Sequence, residues 1–331
     1  MTLDIKSVDI KPIRQTYGHV ARRIGENKAA TRYEEATYDL QPTTNFHYLP
    51  TYDSNFEIYD ERKTAIKMSD WYKFLDPRQY HYSNYVITRA KQQEVAEQNF
   101  SFIEKRELLL TMPQNIKEQI LKCIVPLRHY EWGANMNNLQ LVSESYGSAF
   151  ANATTFHSED RLGMAQYITK IGLLLGENEA SYLDEAKDIW LNNDSWQGLR
   201  KMMEDSFVVK DWFELHVIQN IIMDSFIHPL FFDAYEKEIS SKGGNIQSMM
   251  TEFMSIWFEE SNKWTDKTIN VAVSESLENK EIITKWVNKY IPLMEEAILP
   301  LAKNLVEEPD STIKLIKDNL INRLNKNGLN L

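Results

Sequence analysis

Apolar residues recur at the spacing of an α-helix along most of this chain. The segment SNYVITRAKQQEVAEQNFSFIEKRELLLTM, which starts at residue 83, shows the pattern first. Its apolar positions Tyr85, Ala96, Phe100, Ile103 and Leu110 fall near a 3.6-residue period. Pro113 follows, and because proline cannot continue a helix, the pattern predicts that this helix ends there.

The same periodicity predicts helices to the end of the chain. They cover about 114–145, 147–176, 181–194, 195–239, 245–274 and 279–306, with an amphipathic helix from near Asp310. Pro126 should kink the second helix one turn before Glu131, Pro229 should interrupt the helix over 195–239, and the KGG sequence at 242–244 should break the chain. Several of these helices are about 30 residues long with wide apolar stripes, and no internal repeat is visible. We therefore predict an all-α, long-helix bundle.

The predicted helical domain covers residues 76–331, with its core at about 83–275 and C-terminal helices at about 280–326. Residues 1–75 show no sustained period and are predicted to form an extended N-terminal arm. Its aromatic side chains are Tyr17, Tyr33, Tyr38, Phe46, Tyr48, Tyr52, Phe56 and Tyr59. A disordered tail would be poor in aromatic residues, so these rings need a surface to pack on. They either fold back on their own bundle or, as we favour, lie at a subunit boundary.

Composition and charge argue against several kinds of binding partner. The net charge of −11 and a pI near 5.3 repel phosphate backbones, so nucleic acid is not an expected partner. The chain has only 11 glycines and no glycine-rich nucleotide fingerprint. No apolar leader opens the sequence, and no run approaches the ~18 apolar residues of a membrane span. We expect a soluble, cytoplasmic protein.

The residue types that usually carry chemistry are sparse. The single cysteine, Cys123, lies beside Ile124 and Val125 and is expected to be a buried apolar residue. There is no Gly-x-Ser-x-Gly elbow. The adjacent carboxylates Glu259 and Glu260 point to different helix faces and are interpreted as solvated charges, as are those at 295 and 296.

A di-iron bundle would use two Glu-x-x-His motifs and two further carboxylates. The residues three positions before the seven histidines are Thr16, Thr44, Arg78, Pro126, Thr154, Phe213 and Ser225, and none is acidic. Asp224 precedes His228 by four residues, which we interpret as a hydrogen-bonded pair in preference to a metal site. The residues therefore predict no metal in this chain.

Four long segments resemble one protein family. They are DWYKFLDPRQYHYSNYVITRAKQQEVAEQNFSFIEKRELL, VPLRHYEWGANMNN, RLGMAQYITKIGLLL and VVKDWFELHVIQNIIMDSFIHPLFF, with PIRQTYGHVARRIG and TNFHYLP nearer the N-terminus. The sequence is similar to the beta subunit of the hydroxylase of bacterial multicomponent phenol hydroxylases, which are soluble di-iron monooxygenases related to toluene and methane monooxygenases. The resemblance covers most of the chain and is weakest after about residue 265.

This resemblance implies a ferritin-like (ribonucleotide reductase-like) bundle without the di-iron centre of the catalytic alpha subunit. Its vestigial ligand positions in this chain would be Ser101, Glu131, Ala134, Asp224, Glu260 and Lys263. Ala134 and Lys263 would stand where the ligand histidines lie in the alpha-type pattern. The ammonium group of Lys263 either pairs with Glu131, Glu260 or Asp224 in place of the metal, or extends to solvent.

The resemblance further implies a non-catalytic, structural subunit of an NADH-dependent phenol monooxygenase that converts phenol to catechol with O2. The expected partners are the alpha and gamma subunits in an (alpha-beta-gamma)2 hydroxylase, a regulatory protein and a reductase. Di-iron would lie in alpha, and FAD and a 2Fe-2S cluster in the reductase. Two alternatives remain open, a free-standing ferritin-like di-metal oxidase and a helical adaptor protein.

Overall fold

The computed structural model describes residues 16–41, 49–51 and 53–331, and all regular structure within these ranges is helical. The all-α prediction is therefore confirmed. The N-terminal part carries helices α1 (Gly18–Ile24) and α2 (Arg32–Glu35) and two short 3-10 turns, Glu61–Lys63 and Trp71–Lys73. None of the described helices combines the length and the hydropathy that a membrane span requires.

The helices of the bundle follow from residue 82. They are α3 (Tyr82–Lys105), α4 (Gln114–Cys123), α5 (Leu127–Glu144), α6 (Ser148–Leu175), α7 (Ser181–Asn192), α8 (Asp194–Ser206), α9 (Trp212–His216), α10 (Asp224–Pro229), α11 (Tyr235–Ile239), α12 (Ile246–Glu275), α13 (Leu277–Leu305) and α14 (Pro309–Lys326).

Three predicted helices end or break elsewhere than the sequence pattern indicated. The first ends at Lys105, because Glu107 adopts a left-handed conformation (φ 52°), and Leu110 is consequently 72% exposed. The helix predicted over 114–145 is two helices, because the chain breaks before Pro126. The helix predicted over 195–239 also starts anew at Trp212, where the Asp211 side chain accepts hydrogen bonds from two backbone N–H groups of the new first turn.

Helices α9, α10 and α11 form one continuous segment that the sequence pattern did not resolve. Two π-helical stretches, Val217–Met223 and Leu230–Ala234, join them. Pro229 lies inside this segment without ending it, because the hydrogen bonding rearranges locally around the missing N–H. The predicted break at KGG is a kink at Gly243, whose φ is 91°.

The core of the bundle is unusually aromatic. Helices α5 and α6 pack along each other, joined by a turn of three residues, and α10 and α12 close the bundle around them. The largest fully buried side chains include Trp212, Trp257 and Trp264, together with one arginine, Arg161. A fully buried arginine is rare unless it is paired, so the residues around it mark the candidate site.

The described part of the N-terminal arm folds back on its own bundle. The Ala36 carbonyl accepts a hydrogen bond from Asn152 Nδ2 at 2.7 Å, and the Thr37 carbonyl accepts one from Ser148 Oγ at 2.7 Å. The Gln41 side chain accepts a further bond from the Gly147 backbone at 2.8 Å. These contacts attach residues 36–41 to the start of α6.

The aromatic residues of the arm have different environments. Tyr33 is buried, and its hydroxyl accepts the Asp76 backbone N–H at 2.6 Å. Tyr38, Phe56 and Tyr59 are half-buried, whereas Tyr17 is 55% exposed. Phe46, Tyr48 and Tyr52 lie outside the described residues. A role for these rings in subunit contacts, and the division of the chain near residue 75, stay predictions.

Helices α8 and α13 approach closely at Gly198, and this contact generates a prediction. A Cβ atom at Gly198 would lie 2.7 Å from the Ala297 carbonyl oxygen, a backbone atom that cannot rotate away. We expect Gly198→Ala to lower the free energy of unfolding by about 1–3 kcal/mol, measured by urea titration. Gly163→Ala in α6 is the matched control, because a Cβ there meets nothing within 4 Å, and it should leave stability unchanged or slightly raised. Equal effects of the two changes would contradict this account.

Candidate functional site

The centre of the bundle holds a buried guanidinium between two buried carboxylates. Arg161 on α6 donates from one terminal nitrogen to Glu131 Oε2 on α5 at 3.0 Å and from the other to Asp224 Oδ2 on α10. All three side chains are 0% exposed. Each charge is thus paired away from water, which is the condition for keeping charges in a protein interior.

Two imidazoles complete the surroundings of the guanidinium. Arg161 Nη1 lies 3.3 Å from His228 Nε2, and Nη2 lies 3.4 Å from His157 Nε2. Burial lowers the pKa of both histidines well below the ordinary value, and the charge of Arg161 lowers it further. Both rings are therefore neutral and accept from the guanidinium through Nε2. The Cζ atom of Arg161 lies over the Trp257 ring of α12, 4.3 Å from its centroid.

The two carboxylates differ in their other partners. Asp224 Oδ1 also accepts from the Tyr130 hydroxyl at 2.7 Å and from Gln219 Nε2 at 3.2 Å. Glu131 Oε1 has no hydrogen-bond partner. Burial, as the larger cause, raises the pKa of both carboxyl groups despite the opposing charge of Arg161, that of Glu131 to about 7. One proton near neutral pH would leave a cluster with no net charge. We assign it to Glu131, because Asp224 accepts three hydrogen bonds and Glu131 accepts one.

A chain of buried amides extends the cluster along α5. Asn137 Nδ2 donates to Gln219 Oε1 at 2.8 Å, which connects it to Asp224. Asn138 and Asn220 exchange hydrogen bonds at 3.1 and 2.9 Å. Gln219 and Asn220 both lie in the first π-helical stretch, so that stretch orients the polar groups that support Asp224.

A second charged cluster borders the first. Arg89 on α3 bridges Asp160 at 2.6 Å and Glu260 at 2.9 Å. Asp160 also accepts from Trp257 Nε1 at 2.9 Å, and Glu260 accepts from the Tyr80 hydroxyl at 2.7 Å. Glu260 is therefore a half-buried, paired carboxylate, and its interpretation as a solvated charge was wrong. Its neighbour Glu259 is exposed as expected.

The structure brings together only some of the residues singled out from the sequence. Glu131 and Asp224 meet at Arg161, and Ala134 is buried on the same helix as Glu131. Ser101 lies half-buried on α3, and Glu260 belongs to the cluster around Arg89.

Lys263 and the pair Asp224 and His228 have clear outcomes. Lys263 is exposed, so its ammonium extends to solvent, the second of the two expectations. Asp224 and His228 are both interior residues, but no hydrogen bond joins them, and each contacts the guanidinium of Arg161 instead.

Arg161, His157 and Trp257 were not identified from the sequence as residues of the site. Arginine usually lies on the surface, and nothing in the local sequence RLGMAQ distinguishes this one. One signal was present, because His157 and Arg161 are spaced four apart on a helix, as are Asp224 and His228. Two such pairs on neighbouring helices indicate a shared polar interior.

Comparisons with known proteins identify the family of this chain. Residues 49–276 match the family described as Methane/Phenol/Alkene Hydroxylase. The chain belongs to this family. DmpL, the oxygenase component of phenol 2-monooxygenase of Pseudomonas sp. strain CF600, is 44% identical over 303 residues, which are 92% of this chain and 91% of DmpL.

Solved structures of hydroxylases share the fold. A crystal structure of xenon-pressurized phenol hydroxylase from Pseudomonas sp. OX1 contains a chain that is 41% identical, with a TM-score of 0.94 and 99% of both chains covered. A chain of toluene 4-monooxygenase matches with a TM-score of 0.79 at 19% identity, over 90% of this chain and 99% of that one. The prediction of a ferritin-like bundle is therefore confirmed, and it is the fold that the phenol hydroxylase chain shares.

The bundle centre of this hydroxylase-family chain does not fit a di-iron centre. Such a centre uses four carboxylates and two imidazoles around the metals. Here two carboxylates and two imidazoles surround a fixed positive charge, which repels a metal cation from the same place. Among the described residues, no three His, Cys, Asp or Glu side chains are arranged to hold a metal ion.

The raised pKa of Glu131 predicts a pH dependence of stability. A carboxyl group with a pKa near 4.5 when unfolded and about 7 when folded keeps its proton longer in the folded state. Stability is then full below the unfolded pKa and is lost as pH rises through about 7. Relative to wild type, we expect Glu131→Gln to gain on the order of 2 kcal/mol in unfolding free energy between pH 5 and pH 7.5, measured by urea titration.

Two features make this comparison specific. Glu236, whose pKa burial also raises to about 7, is present in both proteins and cancels in the difference. Glu259→Gln is the control. Because Glu259 is exposed, this variant should follow the wild-type curve. Parallel curves for wild type and Glu131→Gln would show that Glu131 stays ionised throughout.

Proposed function

We propose that this chain is the non-catalytic, structural beta subunit of the hydroxylase component of a phenol monooxygenase. The observation that carries the proposal is the guanidinium of Arg161 at the bundle centre. A positive charge held by two carboxylates leaves no ligand set for oxygen-activating iron. We therefore infer that a chain with this core has a structural role in an oxygenase and does not activate oxygen itself.

The names of the relatives support membership in a complex. DmpL is an oxygenase component of phenol 2-monooxygenase, and a relative from Ectopseudomonas mendocina, 22% identical over 298 residues, is the beta subunit of the toluene-4-monooxygenase hydroxylase. The complex we propose is an (alpha-beta-gamma)2 hydroxylase with di-iron in alpha. A regulatory protein and a reductase with FAD and a 2Fe-2S cluster would complete the system. It would convert phenol to catechol with O2 and NADH.

The outer face of α5 supports docking of the catalytic subunit. Trp132, Met136 and Leu139 form an apolar stripe at helical spacing, and they are 56%, 45% and 51% exposed. Glu131 faces the interior, so the same helix that holds the charge cluster presents this stripe outward. An exposed tryptophan in an apolar stripe is typical of the centre of a protein interface.

The arm has a smaller part in this proposal than its aromatic content suggested. Tyr33 is already buried within the chain, whereas Tyr17 is 55% exposed, so part of its ring is accessible to a partner subunit. The hydrogen bonds from α6 to the carbonyl groups of residues 36 and 37 hold this part of the arm against the bundle.

The first test of the proposal is the location of iron. We expect the full-length chain purified alone to hold substoichiometric iron, and the complex co-expressed with its neighbouring genes to hold iron in proportion to the catalytic subunit. Mass determination and metal analysis of both preparations measure this. A full di-iron complement in the chain alone would favour a free-standing oxidase, and the absence of any co-purifying catalytic subunit would favour an adaptor.

The second test concerns the stripe on α5. We expect Trp132→Ala to weaken association with the catalytic subunit by about 2 kcal/mol or more, roughly 30-fold in Kd, because a central interface tryptophan carries energy of this size. Pull-down and titration on the co-expressed proteins measure the loss, with phenol hydroxylation falling in parallel. Leu277→Ala is the control, because Leu277 is 78% exposed but belongs to a different helix, at the start of α13. Wild-type affinity of Trp132→Ala would exclude this face as the docking surface.

A further inference from the structure

We propose that the bundle centre is a cation site shaped for a planar guanidinium and filled by the chain's own Arg161. Removing this side chain should leave a site that binds a free alkylguanidinium ion. The inference concerns the folded chain alone and does not rest on the proposed function.

The four acceptors match the fork of a guanidinium. Each terminal nitrogen of Arg161 contacts one carboxylate and one imidazole, Glu131 with His228 and Asp224 with His157. Donation to four separate acceptors from two nitrogens fixed in one plane is typical of a planar, delocalised cation. The Trp257 ring, whose centroid is 4.3 Å from Cζ, adds a cation–π contact to the same ion.

Other cations fit this arrangement less well. An ammonium ion has three donors in a compact tetrahedral group, and it cannot reach four acceptors and stack on an indole at once. Zinc is held by nitrogen and oxygen ligands at about 2.0–2.2 Å. The described residues place no three suitable ligands close enough together for that. The geometry therefore favours a guanidinium over an ammonium ion or a metal.

The walls of the site are built to persist when the ion is removed. Glu131, Asp224, His157, His228 and Trp257 are at most 2% exposed. Asp224 is held by Tyr130 and Gln219, independently of Arg161. Packed interiors relax only partly around a deleted side chain, so we expect a polar cavity lined by the two carboxyl groups to remain.

The test is chemical rescue of Arg161→Ala in the full-length chain. Ethylguanidinium supplies the atoms that this substitution removes beyond Cβ. We expect Arg161→Ala to lower the melting temperature strongly, and millimolar ethylguanidinium to restore part of the loss in a saturable manner. Ligand bound only by the folded state raises stability with its concentration in this way. Ethylammonium and zinc chloride, added separately, should restore little.

Two controls separate a bound ion from a general solvent effect. Wild type should lose stability slightly, or not respond, at the same ethylguanidinium concentrations. Arg62→Ala removes an arginine that pairs with Asp60 and whose own side chain is 65% exposed, and it should show no rescue. A response shared by all three proteins would overturn the proposal.

The remaining outcomes are also decisive. Wild-type stability of Arg161→Ala, equal rescue by ethylammonium, or stronger rescue by zinc would each overturn the proposal. If Arg161→Ala does not fold, the readout becomes the refolding yield with and without ethylguanidinium, and no gain in yield would overturn it.

A further variant tests why the cation is needed. The combined change Glu131→Gln, Arg161→Met and Asp224→Asn removes the carboxylate charges along with the cation. It should be more stable than Arg161→Met alone and indifferent to ethylguanidinium. A combined variant no more stable than Arg161→Met would show that the cation is not there to balance the carboxylates, and would overturn the proposal.

Discussion

The charge balance around Arg161 constrains every helix at the centre of this bundle. Helices α5 and α10 each supply a carboxylate, α6 supplies the cation and an imidazole, and α12 supplies the indole beneath the guanidinium. Removing one member of a buried ion cluster leaves an uncompensated charge, which costs more than the pair itself contributes. The cluster therefore specifies which helix faces meet, whereas the surrounding aromatic core supplies most of the net stability.

The sequence predicted the bundle well where local and long-range signals agree. Helix α6 matches its predicted range within one residue at each end, because glycines at 147 and 176 flank a clear apolar period. The break after α8 was not predicted, since the apolar pattern runs through it. Only Asp211, acting as an N-cap, distinguishes a new helix from a continuing one, and aspartate is too common to signal this by itself.

The site was only partly predictable. Glu131 and Asp224 followed from a family resemblance that directed attention to carboxylates and histidines. Arg161 did not, because its importance depends on partners 30 and 63 positions away along the chain. Periodicity tells which face of a helix is apolar, but it does not tell which polar residue on the buried face finds an opposite charge. Glu260 shows the same limit, since its pairing with Arg89 joins residues 171 positions apart.

The π-helical stretches before and after α10 affect how this chain can be aligned with relatives. Each π turn accommodates one residue more than an α-helical turn, and one residue corresponds to roughly 100° of rotation. A relative that lacks the π-helical stretch at Val217–Met223 has one residue fewer in this segment. Its residue that corresponds to Asp224 could then be aligned correctly only with a one-residue gap inside a helix. Sequence alignments rarely place gaps within helices. Without this gap, the aligned residues would be shifted by one position. The residue aligned with Asp224 would then be one whose side chain does not face the interior.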